Sequence, residues 1–242
     1  MKSFERESLW MSYAHSWGGW ISRWLDLEET QALSEQIPQC WIDLIANPCA
    51  VTIQKVWAKT ADSLPRFIDY LTNSILEARV AESEIGYLLV YFLKDWREVD
   101  INEYENGFMM TGLPTPEEDI TKFEAQIGTL PASMRTLWLT HGFVQRRDST
   151  FIVSLQPQQQ KLVHAPKFYP ARRDRWQEGR VLECLGIADV VGEIVPSFSR
   201  QVGTSSWDDY IVDVMRWEET MAESLRIHID DFLADWTFSE WH

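Results

Sequence analysis

Cysteine is scarce in this chain of 242 residues: Cys40, Cys49 and Cys184 are the only three. They have no C-x-x-C or zinc-finger spacing, and an odd, sparse set fits free thiols in a reducing compartment. Signature loops of catalysis are missing as well. No G-x-G-x-x-G, Walker A, H-E-x-x-H or G-x-S-x-G pattern occurs, which removes the common dinucleotide, phosphate, zinc-protease and serine-hydrolase signatures. The longest apolar run, Tyr87 to Leu93, is far too short to span a bilayer. The opening MKSFERESLW mixes acids with bases and lacks the apolar stretch and small-residue cleavage site of a secretory signal. A cytoplasmic protein with no membrane contact is the expectation. Basic charge is also short. Lys and Arg number 22 against 37 Asp and Glu, a formal net charge of −15. Nucleic-acid and anionic-lipid binding both need cations to meet phosphates, so both are disfavoured. The balance suits solubility and attraction to basic partners.

What is abundant is apolar and aromatic. Hydrophobic residues make up 45% of the chain and tryptophans number thirteen, which argues for a packed core. Most of these indoles are expected inside, with a few exposed ones as anchors for a partner. Trp10, Tyr13, Trp17, Trp20 and Trp24 recur close to a helical period and predict a helix packed on the core. Asp62 or Ser63 is placed to cap a helix through Phe67, Leu71 and Ile75. Ser83 is placed to cap another with Ile85, Leu88, Leu89, Phe92, Leu93 and Trp96 on one face. Residues 1–105 are therefore expected to be a helical N-terminal region. Glu98 to Leu113 lacks helical periodicity and marks a boundary.

The segment from Pro114 to Phe143, PTPEEDITKFEAQIGTLPASMRTLWLTHGF, predicts two short helices around a Gly-Thr-Leu-Pro turn. Thr115, Pro116 and Glu118 have capping-box spacing. Ile120, Phe123 and Ile127 form an apolar stripe, and Gly128 fits a positive-φ stop. Pro131 restarts a helix whose Met134, Leu137, Trp138 and His141 share a face. Strands are expected at Thr150–Leu155, Val181–Leu185, Gly192–Val195 and, most strongly, Trp207–Trp217, whose apolar residues on both faces suit a central position. A final helix carries Leu225, Ile229, Phe232, Leu233 and Trp236.

Histidines are dispersed, and His228 with Asp231 reads as a surface pair three residues apart. His164 and Cys184 are the nearest approach to a base and nucleophile, with no local support. No catalytic, cofactor-binding or metal-binding residue is assigned. Two charged segments stand out. From Trp207 to the end, ten acids face two arginines, leaving a surplus of eight negative charges. They are interleaved with Trp207, Tyr210, Trp217, Trp236 and Trp241. Against this, Lys161, Lys167, Arg172, Arg173, Arg175 and Arg180 form a basic run, read as a partner for the acidic tail within the same chain.

The order of two helices with an LP turn, then strands, then IVDVMRWEETMAESLRIHIDDFLADW resembles the SUKH superfamily, also called the SMI1/KNR4 domain, over residues 106–242. Thr140–His141–Gly142–Phe143 stands where the family often has an Asn-Gly-Gly-like loop, and the ending lacks the usual Ser-Phe pair. The resemblance implies an α+β fold, a mostly antiparallel sheet faced by helices. It also implies protein binding without catalysis. Bacterial relatives are commonly immunity proteins that neutralise a toxin, often a nuclease, and others are scaffolds in regulation. On this reading the partner is a basic toxin domain, met by Trp207, Asp208, Asp209, Glu218 and Glu219, with acids steering the encounter and aromatics anchoring it.

Overall fold

The computed structural model describes residues 21–93, 108–146, 152–153, 162–164, 182–186, 194–201, 203–207, 210–215 and 227–235. These form an α+β architecture with two antiparallel sheets. The first contains β1 (Ile21–Leu25), β2 (Ile75–Ser83), β3 (Gly86–Leu93), β4 (Phe108–Gly112), β5 (Val144–Arg146) and β6 (Ile152–Val153), adjacent in that order. The second contains β7 (Leu162–His164), β8 (Leu182–Gly186), β9 (Ile194–Gln201), β10 (Tyr210–Met215) and β11 (Ile227–His228), again in chain order. Between β1 and β2 lie α1 (Leu27–Ala32), α2 (Gln39–Ala46), α3 (Ala50–Val56), a 3-10 turn (Ala58–Thr60) and α4 (Pro65–Ser74). Between β4 and β5 lie α5 (Glu117–Ile127) and α6 (Ala132–Thr140), and α7 (Ile229–Asp235) follows β11.

The N-terminal hundred residues are not wholly helical. The expected helix from Ser83 is the second arm of a hairpin. Ser83 pairs with Gly86 across the turn, Gly86 has φ +109°, and the Ser83 hydroxyl donates to the Gly86 carbonyl at 2.6 Å. The physical reason is burial on both faces. Leu89, Tyr91 and Leu93 join the large core under the helices, while Leu88, Val90 and Phe92 join a smaller cluster on the opposite face. Such a continuous apolar run matches a helical stripe as well as it matches a central strand. Trp24 likewise sits on a strand, half-buried and 6.0 Å from Phe92. Trp10 to Trp20 and Trp96 lie outside the described residues. The helix predicted through Phe67 and Leu71 is present as α4, but Pro65 occupies its first turn, neither Asp62 nor Ser63 caps it, and Ile75 already begins β2.

The expected boundary at 105 falls between β3 and β4, which are hydrogen-bonded neighbours from Leu88↔Gly112 to Phe92↔Phe108. One core draws Trp41, Trp57, Phe67 and Leu71 from the first hundred residues and Ile120, Met134, Leu137 and Trp138 from the next segment. Full burial of each large apolar side chain stabilises by about 1.5–3 kcal/mol, so the shared core binds the two segments strongly.

The α5–α6 pair follows its sequence closely. Ile120, Phe123 and Ile127 are buried, as are Met134, Leu137 and Trp138. The predicted capping box is not made. The helix starts at Glu117, no side chain caps it, and the Thr115 amide instead donates to the Trp138 carbonyl at 2.8 Å. Three acids in the first turn, Glu117, Glu118 and Asp119, complement the positive end of the helix dipole instead. The predicted strands are present as β6, β8, β9 and β10, the last between β9 and β11 in its sheet.

Candidate functional site

Trp207 is the expected site residue that the structure describes, and it is not an exposed anchor. Only 5% of it is accessible. It precedes β10 and packs against the turn between α5 and α6. Its indole Nε1 donates to the Ile127 carbonyl at 3.2 Å, and its backbone amide donates to the Thr129 carbonyl at 3.1 Å. The Thr129 amide in turn donates to the Ser205 carbonyl at 2.7 Å, making a short parallel bridge between Thr129 and Ser206. The Arg200 guanidinium lies 4.3 Å from the centre of the Trp207 ring and also donates to the Ile127 carbonyl. A cation over an indole face adds to the packing. The seam satisfies carbonyls that the end of α5 leaves open.

Gly128 makes this approach possible. Its φ of +95° suits only glycine well, and a β-carbon there would lie 2.5 Å from both the Ser205 carbonyl oxygen and Arg200 Nη1. Gly128→Ala is therefore expected to destabilise by about 2 kcal/mol, combining strained backbone with a clash against main chain. Urea unfolding checks this, and an unchanged midpoint would contradict the seam.

Around the seam, Gly203, Thr204, Ser205, Ser206 and Thr129 are exposed. Asp208 and Asp209 follow Trp207 directly in the chain and, with Glu218 and Glu219, lie outside the described residues. So does the basic run apart from Leu162–His164. Trp207 thus fixes the point from which the acidic segment begins.

Other acids of that segment have internal roles. Asp230 is 5% exposed, and its carboxylate accepts from the backbone amides of Arg66, at 3.0 Å, and Phe67, at 2.9 Å. It therefore caps α4 from more than 160 residues away. Asp231 pairs with the Arg66 guanidinium, and His228 Nδ1 accepts from the Asp230 amide at 3.2 Å. No sequence signal near α4 reveals this cap, because its donor and acceptor meet only in the folded chain.

The α5–α6 pair is also tied by charge. Arg135 reaches Glu117 at 2.7 Å and Glu124 at 3.4 Å, and the Leu130 amide donates to Glu124 at 3.1 Å. The Arg135 hydrogen bond holds Glu117 below the ordinary carboxylate range. His164 stands opposite Glu183 in the β7–β8 register, while Cys184 stands opposite Val163, so the backbone does not set His164 and Cys184 across from one another. Among the described residues there is no group of three or more His, Cys, Asp or Glu able to hold a metal, and no helix long and apolar enough to cross a membrane. Compared with protein-family models, curated proteins and solved structures, the chain matches none.

Proposed function

We propose that this protein acts by stoichiometric protein binding rather than catalysis, as an immunity protein that neutralises a basic toxin domain, of which a nuclease is one kind. The observation that carries the reading is the acidic surplus after Trp207, combined with a Trp207 seam that gives this segment a fixed root. The resemblance of residues 106–242 to the SUKH superfamily supports the same role. Acids that follow a rigid root are suited to steering a cationic partner and covering its active surface. Trp207 serves that surface from inside the fold, and Asp208, Asp209, Glu218 and Glu219 remain the proposed contacts.

A second reading is a scaffold or regulatory adaptor. One observation favours it: the exposed large hydrophobics among the described residues, Leu27, Val51, Leu76 and Ile85, all fall in the first hundred, with Val51 61% and Ile85 54% accessible. Truncating that half does not separate the readings, since it supplies three strands of the shared sheet. Point changes do. Affinity capture of the tagged chain co-expressed with its neighbouring genes is expected to retain one basic partner, toxic when expressed alone. Asp208→Lys with Asp209→Lys is expected to abolish that capture, and Val51→Glu with Ile85→Glu to leave it intact. The reverse pattern would favour the scaffold.

A further inference from the structure

At the centre of the large core is a chain of polar groups with no charge on it. His141 is fully buried at the end of α6. Its Nδ1 lies 3.3 Å from the Gly112 carbonyl of β4, and its Nε2 lies 3.5 Å from the Tyr91 hydroxyl of β3. Tyr91 accepts from Trp57 Nε1 at 3.1 Å. The imidazole packs 4.4 Å from the Trp57 ring and 5.8 Å from the Trp41 ring, centre to centre.

Donors and acceptors fix the direction of this chain. A carbonyl only accepts, so His141 Nδ1 carries the proton toward Gly112. Nε2 is then the acceptor, and the Tyr91 hydroxyl donates to it while accepting from Trp57. The Thr111 side chain is a further hydrogen-bond partner of the Tyr91 hydroxyl, and the imidazole is neutral. A second proton on Nε2 would remove the acceptor that faces the Tyr91 hydroxyl and place a charge in a buried core.

We propose that His141 is an acid release built into the fold: a neutral latch joining α6, β3, β4 and the Trp57 turn that fails when its imidazole must take a second proton. Nothing nearby offsets that charge. The titratable groups on the surrounding elements are Tyr87 and Tyr91 on β3, Cys40 and Asp43 on α2, Arg135 on α6, which pairs with Glu117 and Glu124, and Lys59 on the 3-10 turn. Burial pushes the Tyr91 phenol and the Cys40 thiol up, so both are neutral, and Lys59 is exposed with its ammonium on the Leu139 carbonyl at 3.1 Å. Asp43 on α2 lies at the surface beside Lys55, at 3.6 Å. Burial lowers His141 to about 3, opposed only by the Gly112 carbonyl.

The sign follows from linkage. The unfolded chain binds a proton at His141 below its ordinary value near 6.5, and the folded chain does not. Stability is fully present above that value and is lost as pH falls toward 3. From pH 7 to pH 5 this one group lowers the folding constant by about 25-fold.

The test compares urea unfolding of the full chain and His141→Asn at pH 7 and pH 5, which subtracts the carboxylates common to both. The wild type is expected to lose about 25-fold more in folding constant than the variant. Equal losses would overturn the proposal. Should the variant not fold, NMR of histidine-labelled wild type decides. The His141 ring is expected to keep its Nδ1-protonated neutral form from pH 7 to pH 5. Titration near 6.5 in the folded protein would overturn the latch.

Discussion

Trp207→Ala is expected to lower stability by about 3–5 kcal/mol, the usual cost of emptying a buried tryptophan site, with no partner present. The indole fills the seam between the β9–β10 connection and the α5–α6 turn, is 5% exposed, and spends its N–H on the Ile127 carbonyl. Its removal leaves a cavity, takes one of two side-chain donors from the Ile127 carbonyl and strips the Arg200 guanidinium of its ring. Trp207→Phe retains most of the packing and loses the indole donor, so a cost of about 1–2 kcal/mol is expected. Urea unfolding monitored by circular dichroism separates the alternatives. A wild-type midpoint for Trp207→Ala, with partner binding lost, would make Trp207 an exposed anchor after all and refute the seam.

Asp230→Ala is the second large effect, expected at about 3 kcal/mol. Two amides at the start of α4 lose their acceptor, Phe67 in the core and Arg66 at its edge, and each buried donor left unpaired costs about 1–3 kcal/mol, less whatever hydration the smaller side chain admits. Asp230→Asn retains the volume but offers one accepting oxygen for two N–H groups, so its loss is expected to fall between wild type and alanine. Hydrogen exchange gives the specific readout. The Arg66 and Phe67 amides, bonded to Asp230 at 3.0 and 2.9 Å, are expected to lose protection before the rest of α4. Unchanged protection at both amides would show that the cap contributes nothing.

These two residues also show what a sequence reveals and what it conceals. Local patterns were readable. The stripe of Ile120, Phe123 and Ile127, the break at Gly128 and the strand around Tyr210–Met215 follow from periodicity and from glycine's freedom at positive φ. Residues 83–93 misled because an unbroken apolar run satisfies both a helical face and a strand buried on two sides. The capping box at Thr115 had the right spacing, yet the Thr115 amide found the Trp138 carbonyl instead. Sequence alone places Asp230 and Trp207 in one acidic, aromatic segment. Their partners, the start of α4 and the end of α5, are distant in sequence, and composition holds no record of such meetings. The acidic tail therefore divides: Asp230 and Asp231 brace the fold, and the proposed binding role is left to Asp208, Asp209, Glu218 and Glu219.

That role is the central claim, and titration calorimetry tests it most directly. The purified chain would be titrated with the purified basic partner retained by affinity capture, at low and moderate salt, using the wild type and Asp208→Lys with Asp209→Lys. Both proteins would first be shown folded by circular dichroism. The account predicts one-to-one binding that weakens as salt screens the attraction and is lost on charge reversal. Binding of equal strength by the charge-reversed protein, insensitive to salt, would contradict it.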